Sequence, residues 1–343
     1  MLQLTRPAVW IGALALLAFA PVADSVSFHP TEGSEATKKF ALEGSFELGD
    51  ISMVVDGQDM SGQIPLDQVS GEFDMGFGIV DHYIKIAEGK PLHLEREYTG
   101  SNASFSAMEN SESKEDLFEV DGKTVVFKWD AEKGEYTRSV KEGEVEEAKL
   151  SQLGIDLDYR SLLPERDVSA GDKWEIEPKK LVTALFFGAE MKDVGDMGID
   201  DPDFAEIADE LIPAIEKLFE SFKAQCEYVG SREEGETKLG EVKIVLDSKG
   251  SSDLSQMISA VLEKQTQGAG VTFEIGSADL GLAIRGEGTL LWDLKKGCAK
   301  SFVMDSEVEL TLDLDVSVTD PNGGDHSAEA GIEVMGKAKW SME

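Results

Sequence analysis

Residues 307–318, EVELTLDLDVSV, decide the fold. Val308, Leu310, Leu312, Leu314, Val316 and Val318 occupy alternate positions, and Glu307, Glu309, Thr311, Asp313, Asp315 and Ser317 fill the gaps. A period of two sends the apolar side chains to one face of a strand and the polar ones to the other. Parallel strands, covered on both faces, read as unbroken apolar runs, so a strand with one wet, acidic face points to an antiparallel sheet. The turn DPNGGD at 320–325 then reverses the chain, and Ala328, Ala330, Ile332, Val334, Ala338 and Trp340 resume the apolar face.

The same period recurs upstream. Phe40, Leu42, Phe46 and Leu48 alternate with Glu43, Ser45 and Glu47, and Phe73, Met75, Phe77 and Ile79 follow before an apparent phase shift at Val80, as at a bulge. Residues 100–115 read as a polar loop. Between about 144 and 224 the period changes to 3.6, predicting helices over Glu144–Leu153, Lys179–Phe187 (stopped by Gly188) and Asp201–Ala224, the last interrupted by Pro213. A further helix is expected over Leu254–Leu262. The pattern predicts a mostly β (α+β) protein: an antiparallel curved sheet, half-barrel or sandwich, with a few helices at about 145–224 and 254–264. Trp129-Asp130-x3-Gly134 and Trp292-Asp293-x3-Gly297 repeat one spacing, which fits either a duplicated half-sheet or ordinary turn chemistry.

The string Leu163-Pro164-x3-Val168-x2-Gly171-Asp172-x-Trp174, with the later segments CEYVGSREEGETKLGEVKIVL and GEGTLLWDLKKGCAKSFV, resembles a loose group of uncharacterised exported bacterial β-rich proteins. The resemblance covers roughly residues 160–320. It implies a mostly β fold and no assigned activity.

The first 25 residues, MLQLTRPAVWIGALALLAFAPVADS, read as a signal peptide: Arg6 as the positive start, Ala8–Ala20 as the apolar stretch, and Ala23-Asp24-Ser25 as a cleavage site after Ser25. The alternative cut after Ala20 would place Pro21 next to the scissile bond. Export to the periplasm or extracellular space follows as an expectation, with residues 26–38 a flexible lead-in, 39–143 an N-terminal β half, 144–224 a helical segment and 225–343 a C-terminal β half. No cysteine follows the apolar stretch, so no lipid anchor is expected, and no second run approaches membrane length. A soluble chain without stable membrane insertion after cleavage is expected.

The formal net charge of −36 repels nucleic acid and anionic membrane surfaces, and suits basic partners, divalent cations or a salty medium in which an acidic surface stays solvated. Cys226 and Cys298, the two cysteines, form a disulfide candidate in an oxidising compartment, closing a loop worth about 4 kcal/mol in the chain-entropy model.

Catalytic motifs are missing. There is no G-x-S-x-G elbow, GxGxxG or Walker loop, and no catalytic residue and no cofactor is assigned. His82, His93 and Glu95 could form a two-histidine, one-carboxylate metal site if Ile86 pairs with Pro91, which sets His82 opposite Glu95. A one-residue shift segregates apolar from polar side chains better and sends the two histidines to opposite faces, and it is the register the pattern favours. Asp193, Asp196, Asp200, Asp201 and Asp203 invite a calcium loop but do not fit the EF-hand spacing. Phe186, Phe187, Phe219 and Phe222 could line a helical cover over an apolar ligand, or simply pack a core. The composition and pattern point to an exported non-enzymatic binding or envelope-associated protein that holds an apolar ligand. The alternatives are a secreted metal-assisted hydrolase and an acidic, calcium-responsive structural or surface protein.

Overall fold

The first strand pairs with the last. In the computed structural model, which describes residues 23–63, 70–107, 112–115, 119–188, 212–266, 271–320 and 322–343, β1 (Glu35–Val55) lies antiparallel to β13 (Asp325–Met342), with Phe40 opposite Met342 and Val55 opposite Ala328. This pairing welds both β-rich parts of the chain into one sheet. The remaining strands are β2 (Gln58–Asp59), β3 (Ser70–Ala87), β4 (Lys90–Ala107), β5 (Glu112–Glu115), β6 (Thr124–Asp130), β7 (Glu135–Val140), β8 (Lys173–Ile176), β9 (Ala224–Glu234), β10 (Thr237–Asp253), β11 (Thr272–Asp293) and β12 (Cys298–Thr319). Their order is β7-β6-β4-β3-β1-β13-β12-β11-β10-β9-β8, all pairs antiparallel, with β2 and β5 added beside β1 and β4. The ends do not meet, so the sheet is open, as the half-barrel expectation required.

Long strands follow from the long alternation. In β12, Phe302, Met304 and Ser306 are buried while Val303, Asp305 and Glu307 are exposed; the alternation is interrupted at Leu310 and resumes from Leu312 to Val318. The inner face of one end of the sheet is covered by α1 (Glu147–Ser151), a 3₁₀ turn at Arg160–Leu162, α2 (Pro178–Leu185) and a helix at 212–219, here α3. Leu150, Leu162, Leu181, Leu185, Leu218 and Phe222 from this cover pack with Phe40, Ile79, Leu290, Phe302 and Trp340 from the sheet. Pro213 lies within the described part of α3, and the rest of the expected helix, Asp201 to residue 211, lies outside the described residues. Gly188, at φ +78°, ends the second helix with its N–H bonded to Thr183 O, as the sequence suggested. A fourth helix, α4 (Ser255–Gln265), packs on β11 farther along the sheet.

Several local expectations are corrected. Residues 100–107 continue β4 as strand and do not form a loop. Alternation does not break at Val80. Ile79, Asp81 and Tyr83 all face the core, and the irregularities in the pairing with β4 fall at Gly76/Gly78 and after Tyr83. The segment after residue 23 is not a loose lead-in: Val26 and Phe28 are buried, Asp24 bridges Val168, and the Trp292 indole donates to Ser27 O. Both Trp-Asp-x3-Gly motifs form hairpin turns. Asp130 Oδ1 accepts from the N–H of Glu132 and Lys133, Asp293 Oδ1 from those of Lys295 and Lys296, and Gly134 and Gly297 supply the positive φ.

Candidate functional site

The face of β3 and β4 that enters the core carries charge. Asp81 and Arg96 stand opposite each other and are both fully buried. The Arg96 guanidinium donates to Asp81 Oδ1 at 2.6 Å and Oδ2 at 3.1 Å, a two-pronged pairing, and to the carbonyls of Gly154 and Ile155. Lys38 Nζ lies 3.2 Å from Asp81 and 2.8 Å from Asp158, and the Tyr83 hydroxyl donates to Asp158 at 2.8 Å. Burial alone would depress the Lys38 ammonium, but Asp158 and Asp81 outweigh it and hold its pKa above the usual lysine value. Burial likewise pushes the Asp81 carboxyl up, and Arg96 and Lys38 overcome this and hold it below the usual range. Two cations and two carboxylates leave this cluster neutral, and it fastens the N-terminal strands to the segment that follows α1. Its depth leaves it closed to a substrate.

This cluster explains the register. The structure adopts the pairing of Ile86 with Pro91 and His82 with Glu95, not the shifted one that segregates polarity, because the Asp81–Arg96 pair belongs inside. His82, His93 and Glu95 therefore do share the outer face. His82 is engaged by Glu35 at 3.1 Å, Glu95 by Lys141 at 2.8 Å, and His93 stands 3.8 Å from Glu95. Among the described residues no group of three or more His, Cys, Asp or Glu side chains could hold a metal ion. The five aspartates from Asp193 to Asp203 lie outside the described residues.

The disulfide expectation is corrected. Cys226 and Cys298 are both free and buried. Cys226 faces Ile244 on β10, while Cys298 faces Asp293 on β11, which in turn faces Leu239. Three strand spacings, about 14 Å, separate their strands, against at most about 7 Å between the Cα atoms of a disulfide.

Phe186, Phe187, Phe219 and Phe222 are core residues. Phe187 meets the Phe40 and Phe77 rings edge-on at 6.0 and 5.3 Å, and Phe219 meets Phe186 and Phe222 at 5.9 and 4.8 Å. None of them lines the cavity described next.

Beyond the helical cover the inner face is hollow. One row across seven strands, Phe105, Phe73, Gly44, Ala338, Ser306, Gly286 and Leu246, floors a cavity of about 1330 Å³. A single concavity that touches both β4 and β10, six spacings or roughly 29 Å apart along the sheet, requires the sheet to curl. The small residues in the middle of the row make the room. Phenylalanines lie over neighbouring glycines: a Cβ on Gly44 would meet Phe73 Cζ at 2.2 Å, and one on Gly71 would meet Phe46 Cζ at 2.4 Å. Phe46 in turn stacks on Phe105 at 5.7 Å.

From this row the inner face runs on to the hairpin tips as an apolar trough. Its floor comprises Val308 to Val318 of β12, Ile284 to Phe273 of β11, Gly336 to Ala328 of β13 and Phe46 to Val55 of β1, at alternate positions. α4 covers the β11 side through Met257 and Ile258 against Ile275, Leu280, Leu312 and Leu314. Among the described residues the middle is left open, with Leu310 and Ile332 each 37% exposed. The sequence displays every one of these side chains. What it does not display is the row that combines Gly44, Ala338, Ser306 and Gly286, which exists only once four strands are in register.

No protein-family model matches the chain, and none of the curated proteins does. Among solved structures it is similar to lipovitellin, in a structure titled for lipid–protein interactions, at TM-score 0.27 and 10% identity over 89% of this chain. The chain spans a quarter of the length of that lipovitellin chain (25%). It is also similar to the outer membrane protein OprG of Pseudomonas aeruginosa, at TM-score 0.18 and 8% identity over 90% of this chain and 97% of that one. An outer membrane channel of Pseudomonas putida F1 gives TM-score 0.16 and 8% identity over the same shares, 90% and 97%. TM-scores this low do not place the chain in any of these folds.

Proposed function

We propose that the chain is an exported, envelope-associated binding protein without catalytic activity, and that its trough holds an apolar ligand. The observation that carries this reading is the open inner face around Leu310 and Ile332. A curled antiparallel sheet normally fills its concave side, as this one does under α1 to α3. Here the apolar alternation continues past the covered end, and leaves large aliphatic side chains facing a hollow. Burying such surface under a ligand is favourable by about 25 cal/mol per Å². Pockets for small molecules are concave and mostly apolar, as this trough is. The buried charge cluster lies too deep to meet a substrate.

Native mass spectrometry of protein purified from its own host tests the reading. A copurifying apolar ligand that is lost from the folded variant Leu310→Asp/Ile332→Asp is the expected result. A wild-type protein that emerges bare and also takes up no fluorescent fatty-chain probe overturns it.

A further inference from the structure

Which amphiphile such a trough would hold is written in its charge distribution. Residues 40–84, 265–284 and 301–336, which include the open ends of β1, β11, β12 and β13, contain twenty aspartates and glutamates and no lysine or arginine. Apart from Asp81, which is neutralised in the buried cluster, alternation sends the carboxylates of the described strands outward or to the hairpin tips. The inner floor from Ser306 to Val318, and across to Leu48 and Val334, carries no charged side chain. The first polar groups met on leaving the trough are at the tips, where Asp56, Asp320 and Asp325 surround His326.

The length of the trough fits a lipid. From Ser306 to Val316 is ten residues of strand, about 33 Å. A bilayer's hydrocarbon core is about 30 Å, so one leaflet's tails need about half of that. The inner end is closed by the packed core at Trp340 and Met304, so a tail enters methyl end first and its headgroup stays near the tips. Among the described residues, a headgroup there meets the carboxylates of Asp56, Asp320 and Asp325, which outnumber the one histidine between them.

We infer, building on the carrier reading above, that the ligand is an amphiphile with long aliphatic tails and a zwitterionic or cationic headgroup, and that anionic amphiphiles are discriminated against. Selection comes from repulsion at the tips, while the tails supply the affinity. The occupant is a lipid molecule and not a membrane surface, because the same carboxylates repel the anionic face of a bilayer.

The test uses the whole protein, freed of ligand and incubated with vesicles of phosphatidylcholine or of phosphatidylglycerol bearing the same two oleoyl chains. Bound lipid is counted by native mass spectrometry. Uptake of the zwitterionic lipid is expected to exceed that of the anionic one by about fivefold or more at low salt, with the ratio shrinking as salt rises. The exposed double variant Asp325→Lys/Glu329→Lys is expected to narrow the ratio without reducing uptake of the zwitterionic lipid. Equal or greater uptake of the anionic lipid overturns this inference and leaves the carrier reading standing. A folded protein that takes up neither lipid removes both.

Discussion

Asp24 and Lys238, 214 positions apart, form an ion pair of 2.5 Å, and the Tyr228 hydroxyl donates to the same carboxylate at 2.7 Å. The Asp24 side chain is only 16% exposed, and burial, which would raise its pKa, is outweighed by Lys238 and Tyr228, so the carboxyl lies below the usual aspartate value. Two residues on, Val26 and Phe28 enter the core. A leader cut after Ser25 would discard this anchor. N-terminal sequencing of the mature protein is therefore expected to find Asp24 retained, and a mature chain starting at Val26 would contradict the fold's use of it. Asp24→Ala is expected to lower stability by about 1–3 kcal/mol, read from urea unfolding.

The buried cluster makes a second, larger prediction. Arg96→Met strands the Asp81 carboxylate beside a single cation in a dry site, and breaking a buried pair from one side costs about 3–5 kcal/mol. The expected result is a denaturation midpoint shifted accordingly, with an unchanged slope. Asp81→Asn in the same background should recover part of the loss, since the unpaired charge is then gone; no recovery would mean that Arg96 matters through its bonds to Gly154 and Ile155 alone. The pH dependence has a definite sign. Asp81 titrates lower in the folded protein than in the unfolded chain, so its contribution is complete above pH ~4. It is lost as pH falls through the depressed folded value. Lys38 titrates higher when folded, so its contribution holds below pH ~10.4 and fades only as pH rises through its raised value.

That same cluster marks where sequence stops being legible. The alternation from Val308 to Val318 announces its face because one side of the sheet is apolar and the other acidic. In β3 and β4 the rule inverts: Asp81 and Arg96 point inward, and polarity counted strand by strand selects the wrong register. Their compensation comes from Lys38, 43 positions before Asp81, and from Asp158, 75 positions after Tyr83. No local window contains both. Val26 and Phe28 escaped for a related reason, since two apolar residues in a polar stretch make no pattern and are buried only by tertiary contacts.

Free thiols are the third prediction. Burial pushes Cys226 up to about 12 and Cys298 up to about 11, so neither is a thiolate at neutral pH. The folded protein should resist a thiol reagent and show no mass change on reduction. In denaturant both thiols should react. A disulfide would appear instead as a gain of two hydrogens on reduction, and would require β9 and β12 to abandon their places in the sheet.

His326 ties the tip of β13 to that of β1: its Nδ1 is 2.8 Å from Asp56 Oδ2, and Asp56 Oδ1 accepts from Ser327 N–H. Hydrogen bonding to Asp56, with its charge, raises the His326 pKa above 6.5. Because the folded value is the higher one, the clamp is complete below the unfolded value of about 6.5. It loosens as pH rises through the raised folded value. An NMR titration of His326 should give a midpoint above that of a free imidazole, and Asp56→Asn should bring it down. Amide exchange at residues 53–56 and 325–328 should quicken across the same pH interval in the wild type, and be fast and pH-flat, after correction for intrinsic exchange, in His326→Ala. Since these tips form the mouth of the trough, faster exchange there without any change near Trp340 would confine the loosening to the entrance; a coordinated change at both ends would mean that the tips and the core open as one unit.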